Sequence, residues 1–315
     1  MEGHQKLLKK IEEYSKICIF GHTSPDGDCY GSQSALKKFI EEIYPTKKVF
    51  ILGTGFKKAI PYFGEMDQID DEVVKESLAI LVDCSDIERV EDQRITLAKE
   101  IVKIDHHMGS EEAGPCIINI SNTSACSCAQ MVGEFILDNG FTLSKDVAER
   151  IFLGIVTDTG RFQFLSSTEG TFSLMEKVMQ AKIDFQKIYD FLYEGSEIAT
   201  RVKGYISYHF SAYQGVAYIV LDKVTLRKLQ ADYNYASTMV NALSLMKGFP
   251  VWASFCESEE GFVRVELRSK NLNVQKVATI FGGGGHYNAS GCRLKKLKDH
   301  EKVVKELAKL IEVNC

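Results

Sequence analysis

Short apolar runs and amphipathic stretches alternate along the first half of the chain. The apolar runs lie at 16–20, 49–52, 78–82, 101–104 and 116–120. Short continuous runs of this kind predict strands that are buried on both faces of a parallel sheet. Helical spacing of apolar residues is found at 30–43, 124–139 and 146–157,. The pattern therefore predicts an α/β fold with helices on both faces of the sheet.

The pattern changes after residue 168. Residues 168–208 are predicted to be mostly helical, with a break near Asp184, and the part from Glu194 onward is interpreted as a helical connector. Beyond it, strand-like and helical stretches mix: strands at 216–221, 251–255 and 262–267, helices at 235–246 and 274–280. We therefore expect an N-terminal domain over 1–190, a helical linker over 191–212 and a smaller mixed α/β domain over 213–315.

Composition narrows the range of partners. The 315 residues carry a formal net charge of −5, so a track for long nucleic acid is not expected,. No run approaches the roughly 20 apolar residues of a membrane span, and residues 1–16 read as a polar helix and not as an export signal. The nine cysteines are odd in number and predict reduced thiols in a cytoplasmic protein,. Cys126 and Cys128 are too closely spaced for the usual zinc knuckle.

Candidate metal ligands come directly after the first apolar run. The segment GHTSPDGD, residues 21–28, supplies His22, Asp26 and Asp28 within one tight turn. One imidazole and two carboxylates suit a divalent ion, and ligands of open α/β sheets bind beyond the carboxyl ends of the strands. Taken alone, the segment could equally be an Asp-Gly turn with an incidental histidine.

Three further loops offer the same types of side chain. Asp83 ends the third apolar run, where it could also cap a helix. Asp105, His106 and His107 end the fourth run, and Asp158 follows a later apolar stretch where an ordinary turn is the alternative. Three of the seven histidines, His22, His106 and His107, fall in the four loops, and independent turns would rarely coincide in this way. Together the loops predict a metal site.

The order of these segments resembles a known superfamily. GHTSPDGD, LVDCSD, DHH and TDTG resemble the four motifs of the DHH phosphoesterases, and GGGGHYNASG, residues 282–291, resembles the signature of the DHH-associated C-terminal domain. Within the superfamily, a two-domain chain of this length resembles nano-RNase/pAp phosphatases (NrnA-like) and soluble cyclic-dinucleotide phosphodiesterases. The resemblance implies a catalytic DHH domain, a substrate-binding C-terminal domain and an active site in the cleft between them.

The resemblance also implies roles for the matching residues. Two divalent ions are expected, with Mn2+ as the usual ion of the family and Mg2+ or Co2+ as alternatives. The implied ligands use one carboxylate twice: His22, Asp26 and Asp83 for one ion, and Asp28, Asp83, His106 and Asp158 for the other. Beside the catalytic Asp83, His107 would contact the scissile phosphate and Asp105 would orient a ligand histidine. Cys29 stands where the family more often has alanine.

Substrate binding is implied mainly for the C-terminal part. Successive glycines expose backbone N–H groups that favour an anion, and an arginine at a strand end can fork onto a phosphate. The implied residues are Arg161, Arg268, Ser269, Gly283, Gly284, Gly285 and His286. The alternatives are a flexible turn for the glycines and a solvated strand-end arginine for Arg268. Phe162 and Phe164 are expected to pack in the core.

The expected activity follows from this resemblance. It is the hydrolysis of short oligoribonucleotides and linear dinucleotides (pApA, pGpG) to 5′-mononucleotides, with removal of the 3′-phosphate from pAp as a second reaction of the same centre. One alternative is a cyclic di-AMP phosphodiesterase, and an alternative of another class is a catalytically inactive nucleotide-binding module. The expected partner is a short RNA or dinucleotide; no membrane is expected, and a homodimer is left open.

Overall fold

The computed structural model describes residues 2–110, 112, 114–164 and 166–314. The chain forms two compact units, divided between Glu194 and Gly195. Each unit has a sheet and a hydrophobic core of its own. The α/β class predicted from the alternation of apolar runs is therefore confirmed.

The N-terminal unit contains a five-stranded sheet in which every strand pair is parallel, in the order β2-β1-β3-β4-β5. Its strands are β1 (Lys16–Phe20), β2 (Lys48–Ile51), β3 (Leu78–Val82), β4 (Glu100–Asp105) and β5 (Ile118–Ser121). Its helices are α1 (Glu2–Glu13), α2 (Gly27–Ile43), α3 (Ile60–Phe63), α4 (Asp71–Lys75), α5 (Cys128–Asp138), α6 (Lys145–Asp158), α7 (Glu169–Gln180) and α8 (Phe185–Tyr193). Short 3-10 segments lie at Ile87–Arg89 and Gln93–Leu97.

Alternate side chains of each central strand enter two different cores. Ile17 and Ile19 of β1 pack with the large cluster that includes α1, α2, α5 and α6. Cys18 and Phe20 face the opposite side, where a smaller cluster includes Val74 of α4. Since both faces are covered, neither face needs polar residues. This explains why the strands read as continuous apolar runs.

The region predicted to be helical from 168 to 208 has two breaks. The predicted one lies at Asp184, whose side chain accepts a hydrogen bond from Lys187 N and caps α8. The second separates α8 from α9 (Glu197–His209), which falls in the C-terminal unit. Val202 and Ile206 of α9 are buried in a core cluster of that unit. The helix interpreted as a connector is thus packed into the C-terminal unit.

The C-terminal unit contains a mixed six-stranded sheet in the order β10-β11-β9-β8-β7-β6, in which only β7 and β8 pair in parallel. Its strands are β6 (Ser211–Tyr213), β7 (Val216–Leu221), β8 (Val251–Glu257), β9 (Val263–Ser269), β10 (Gly284–Gly285) and β11 (Ala289–Leu294). Its other helices are α10 (Lys223–Lys228), α11 (Tyr233–Thr238), α12 (Val274–Ile280) and α13 (His300–Asn314), with 3-10 segments at Met239–Leu243 and Leu297–Asp299.

Two further features bear on the partners. Among the residues that the structure describes, no helix combines the length and the apolar character that crossing a membrane requires. All the cysteines between Cys18 and Cys292 are free thiols. Cys315 lies outside the described residues.

Candidate metal centre

The predicted metal ligands lie at one edge of the parallel sheet. His22 follows β1, Asp83 directly follows β3 and His106 directly follows β4. These three strands are neighbours and parallel, so their carboxyl ends lie side by side,. The first turn of α2 contributes Asp28, and Asp158 is the last residue of α6.

His106 is the centre of one cluster of donors. Its Nε2 lies 3.3 Å from Asp83 Oδ1 and 3.4 Å from Asp158 Oδ2. The same nitrogen lies 3.7 Å from Asp28 Oδ2. One imidazole nitrogen and three carboxylates therefore lie close together. They belong to the ligand set that the family resemblance implies for one ion: Asp28, Asp83, His106 and Asp158.

His22 forms the second cluster on the other side of Asp83. Its Nε2 lies 3.5 Å from Asp83 Oδ2 and 4.0 Å from Asp26 Oδ1. The other ring nitrogen, Nδ1, lies 2.9 Å from the carbonyl oxygen of Thr23, an arrangement that orients the ring and leaves Nε2 for the centre. Asp26 also caps α2, because its Oδ1 accepts hydrogen bonds from the backbone N–H groups of Asp28 and Cys29.

A helix N-terminus holds Asp28 in place. Its carboxylate accepts hydrogen bonds from Cys128 N at 2.6 Å and Ala129 N at 2.9 Å, the first two residues of α5. The N-terminal N–H groups of a helix have no partners within the helix and favour a negative charge. Ser127 caps the same helix by accepting a hydrogen bond from Gln130 N. The sequence analysis assigned none of these residues to the metal centre, although a serine before an apolar helix is a usual N-cap signal.

Asp83 carries two marks of a functional position. Its backbone has φ +55°, a left-handed conformation that few residues other than glycine adopt and that is retained mainly at functional sites,. Its side chain is buried, and its Oδ1 has no hydrogen-bond partner among the described residues. It caps none of the helices described. Its Oδ1 faces His106 Nε2 at 3.3 Å and its Oδ2 faces His22 Nε2 at 3.5 Å, and this mixed N/O donor set fits a divalent cation.

The charges of the cluster perturb one another. Burial and the neighbouring Asp83 raise the pKa of the Asp28 carboxyl well above its ordinary value, and burial raises that of Asp158 to about 6. Burial also works against ionisation of Asp83, but His106 and His22 close by bring its pKa below the ordinary value. For His22, burial is outweighed by Asp83, and the pKa is raised to about 9. Without a cation, the positive charge of protonated imidazoles partly balances the negative charge of the carboxylates.

Asp105 supports His107, not the candidate ligand His106. Its Oδ1 lies 2.8 Å from His107 Nδ1, and this hydrogen bond raises the pKa of the imidazole. The sequence analysis expected Asp105 to orient a ligand histidine. In the structure, its hydrogen bond is instead with the neighbouring histidine, His107. The side chain of His107 is 47% exposed, whereas Asp105 is fully buried. An exposed imidazole held by a buried carboxylate suits contact with a substrate.

The thiol of Cys29 lies against the strand end that carries His22. A Cβ at Gly21 would come 2.2 Å from its Sγ, so the thiol fills the space that glycine leaves. The thiol can also approach His22 and Asp83 within 4.8 Å. Burial, followed by the charge of Asp83, raises its pKa well above the ordinary value. The Cys29 thiol is therefore neutral and packed, and it occupies the space that a side chain at position 21 would need.

The segment after Asp158 differs in part from expectation. Arg161 and Phe162 both have positive φ, at 65° and 62°. The guanidinium of Arg161 lies over the ring of Tyr193 at 4.9 Å. Phe162 packs against the core as expected, but Phe164 is 58% exposed, so its assignment to the core is wrong. Apolar character alone does not tell which of two nearby rings faces the interior.

The structure also brings the predicted substrate-binding residues of the C-terminal unit together. Arg268 at the end of β9 pairs with Ala289 of β11, and Ser269 N donates a hydrogen bond to Asn288 O. The strands β10 and β11 form a hairpin that contains Gly284, Gly285 and His286, and Gly283 precedes it. The side chain of Arg268 is held along the sheet, with Nη1 donating to Leu267 O and Nη2 3.2 Å from Glu266 Oε2. Residues 289–291 begin strand β11.

Gly283 and Gly285 are required by the close approach within this hairpin. A Cβ at Gly283 would lie 2.1 Å from Gly291 O, and one at Gly285 would lie 2.7 Å from Ala289 O. Gly285 also has φ +136°. These two glycines are therefore needed for the fold of the hairpin itself, whereas a Cβ at Gly284 would meet nothing within 4 Å.

Two family models match the chain. The model described as "DHH family, N-terminal domain" matches residues 16–155, and the "DHHA1 domain" model matches residues 214–313. The first range contains every candidate metal ligand except Asp158, and the second contains the glycine hairpin. The chain belongs to the DHH family, with a DHHA1 domain in its C-terminal unit. It is accordingly a metal-dependent phosphoesterase.

Relatives resemble the chain over nearly its whole length. The bifunctional oligoribonuclease and PAP phosphatase NrnA of Bacillus subtilis (strain 168) is 32% identical over 309 residues, 97% of each chain. The protein of the same name from Mycoplasma pneumoniae is 33% identical over 315 residues, 98% of this chain and 96% of the other. A solved structure of an exopolyphosphatase-related protein from Bacteroides fragilis has a TM-score of 0.84 at 25% identity, covering 99% of this chain and 98% of that one.

Proposed function

We propose that the chain hydrolyses short oligoribonucleotides and linear dinucleotides such as pApA and pGpG to 5′-mononucleotides at a centre for two divalent ions. Removal of the 3′-phosphate from pAp is proposed as a second reaction of the same centre. The proposal rests on the convergence of donors around Asp83. It is supported by relatives that are named for these two activities and match over nearly the full length.

The proposed ligands divide around Asp83. One ion would be held by His22, Asp26 and Asp83 and the other by Asp28, Asp83, His106 and Asp158, and Mn2+ is the proposed ion. When bound, divalent ions at such a centre lower the pKa of a coordinated water and neutralise charge on a phosphate. The convergence of imidazole nitrogens on both oxygens of Asp83 is the single observation that most favours an ion here.

His107 is the proposed contact to the scissile phosphate. Because Asp105 accepts a hydrogen bond from its Nδ1, the ring is held in one orientation and its Nε2 is left for the substrate,. As an imidazolium, the ring can donate from Nε2 to a phosphate oxygen or protonate the leaving oxygen. Arg268, Ser269, His286 and the glycine backbone are proposed to hold another part of the nucleotide, with Arg161 as a further phosphate contact.

A panel of substrates tests the proposal. The full chain with Mn2+ would be incubated separately with pAp, pApA, pGpG and cyclic di-AMP, and the products resolved by chromatography. We expect mononucleotides from pApA and pGpG and adenosine monophosphate from pAp. Faster cleavage of cyclic di-AMP than of pApA would replace the proposal by the cyclic-dinucleotide alternative.

A matched pair of variants tests the role of the centre. Asp83→Asn removes the charge of the shared carboxylate and should abolish the Mn2+-dependent turnover. Asp86→Asn makes the same chemical change at an exposed aspartate three residues away and should have no effect. Nucleotide binding by the wild-type chain without turnover of any member of the panel would support the inactive binding module instead.

A further inference from the structure

The C-terminal sheet carries a cavity whose charged side chains, Arg264, Glu266 and Arg293, have no role in the proposed function. Its volume is about 430 Å³, and its walls include Asn234, Phe262, Arg264, Glu266, Gly291 and Arg293. The cavity also reaches Gly282 and Gly283, which precede the hairpin, and Gly283 is among the proposed substrate contacts. All of these residues belong to the C-terminal unit.

The cavity arises from the alternation of β9 and from one glycine of β11. Val263, Val265 and Leu267 are buried in the core, so Arg264 and Glu266 lie on the opposite face of the sheet. Gly291 pairs with Glu266 across the ladder and leaves that face without a side chain. A Cβ at Gly291 would lie 2.7 Å from Val265 O, so a larger residue could not fill the space.

The charge of the cavity is unbalanced. Arg264 and Arg293 are direct partners on neighbouring antiparallel strands, and like charges in this position destabilise a sheet. Glu266 compensates only in part: its Oε1 lies 2.9 Å from Arg264 Nε, but its Oε2 is shared with Arg268. Among the described residues, no ion pair involves Arg293. An anion between the two guanidinium groups would relieve the repulsion.

Both guanidinium groups are already held in position. Arg264 Nη1 donates a hydrogen bond to Asn234 Oδ1 at 2.7 Å, in addition to its contact with Glu266. The guanidinium of Arg293 lies over the ring of Phe262 at 4.6 Å. Prepositioned planar guanidinium groups match the geometry of phosphate oxygens better than flexible ammonium groups do.

We propose that this cavity binds a phosphate group of a nucleotide, at an anion site separate from the one proposed for Arg268 and His286. The class of ligand rests on the proposed function. The Glu266 carboxylate lies between the guanidinium groups of Arg264 and Arg268, with one oxygen on each, so a phosphate that bridged both arginines would have to displace it. The phosphate belongs either to the substrate, when it is longer than a dinucleotide, or to a separate mononucleotide.

Binding without turnover tests the site. The EDTA-treated full chain would be titrated into 3′-fluorescein-labelled pApA and pApApApA and followed by fluorescence anisotropy. If the phosphate is part of the substrate, Arg264→Gln and Arg293→Gln should each weaken binding of the tetranucleotide about tenfold and leave the dinucleotide unchanged. If it belongs to a separate nucleotide, equilibrium dialysis with radiolabelled AMP should find one bound AMP fewer per chain in both variants.

Arg227→Gln is the control, because Arg227 pairs with Glu259 outside the cavity and its loss changes the net charge equally. Unchanged oligonucleotide affinity together with unchanged AMP stoichiometry in both cavity variants would overturn the inference. An equal loss of affinity in the control variant would do the same, because it would show a general effect of charge. Thermal unfolding confirms that the variants are folded. Failure of the wild-type chain to hydrolyse pApA would contradict the proposed function and leave these binding results to stand alone.

Discussion

Replacement of Gly154 by alanine should destabilise the N-terminal unit and weaken metal binding together. The new Cβ would lie 2.4 Å from Ala129 Cβ and 2.6 Å from Asp28 Oδ1. Neither atom is the free end of a flexible side chain, since Ala129 is part of α5 and Asp28 is held by two backbone N–H groups. Overpacking of this kind costs about 1–3 kcal/mol, while the better helix propensity of alanine returns at most about 1 kcal/mol.

We therefore expect a net loss of about 1–2 kcal/mol in the free energy of unfolding, measured by urea denaturation in EDTA. Displacement of Asp28 should also lower the affinity for Mn2+ about tenfold in isothermal titration calorimetry. Gly204→Ala is the matched control, because Gly204 lies inside α9 and its added Cβ would meet nothing within 4 Å. That variant should be stabilised slightly and bind Mn2+ normally. Equal stabilisation of both variants would refute the reasoning.

Two substitutions and one labelling experiment test other parts of the structure. His107→Asn should lower kcat for pApA by about 100-fold or more and leave Mn2+ affinity unchanged in calorimetry; a loss of Mn2+ binding would instead make His107 a ligand. Ser127→Ala removes the cap of α5 and should cost about 1 kcal/mol in urea denaturation, so an unchanged midpoint would contradict the role of the cap. Burial raises the pKa of Cys256 to about 12, so at pH 8 its thiol is neutral. Mass spectrometry should find slow iodoacetamide labelling of Cys256 in the folded chain and rapid labelling in urea, and rapid labelling in both states would contradict its burial.

The strands of the N-terminal unit were predictable because burial on two faces leaves a local signal. The runs at 16–20 and 78–82 coincide with β1 and β3. In the C-terminal unit, β11 has the sequence ASGCRL, in which small and polar residues replace the apolar run, and it was not predicted. Its place in the sheet depends on pairing with β9 and on the close approach of the glycine hairpin, which no local pattern reports.

The convergence of the candidate ligands was also predictable, because the carboxyl ends of neighbouring parallel strands share one edge. The contacts that hold the candidate ligands in place could not be predicted from the sequence as easily. Asp28 is tied to residues 100 positions later in the chain, and the choice of His107 over His106 as the partner of Asp105 depends on the path of the loop after β4. Likewise, the cavity beside Arg264 results from Gly291 on the neighbouring strand β11. The sequence of β9 by itself does not predict this cavity.

The tie between Asp28 and the start of α5 has a consequence for the order of folding. Since loop closure over 100 residues must precede it,, the donor set cannot be complete while the chain after β5 is still unfolded or still being synthesised. A cation that needs this set would bind late and could not nucleate the sheet. Metal uptake in a refolding experiment should therefore follow the docking of α5 and of α6, which carries Asp158, and its rate would report a late stage of assembly of the N-terminal unit.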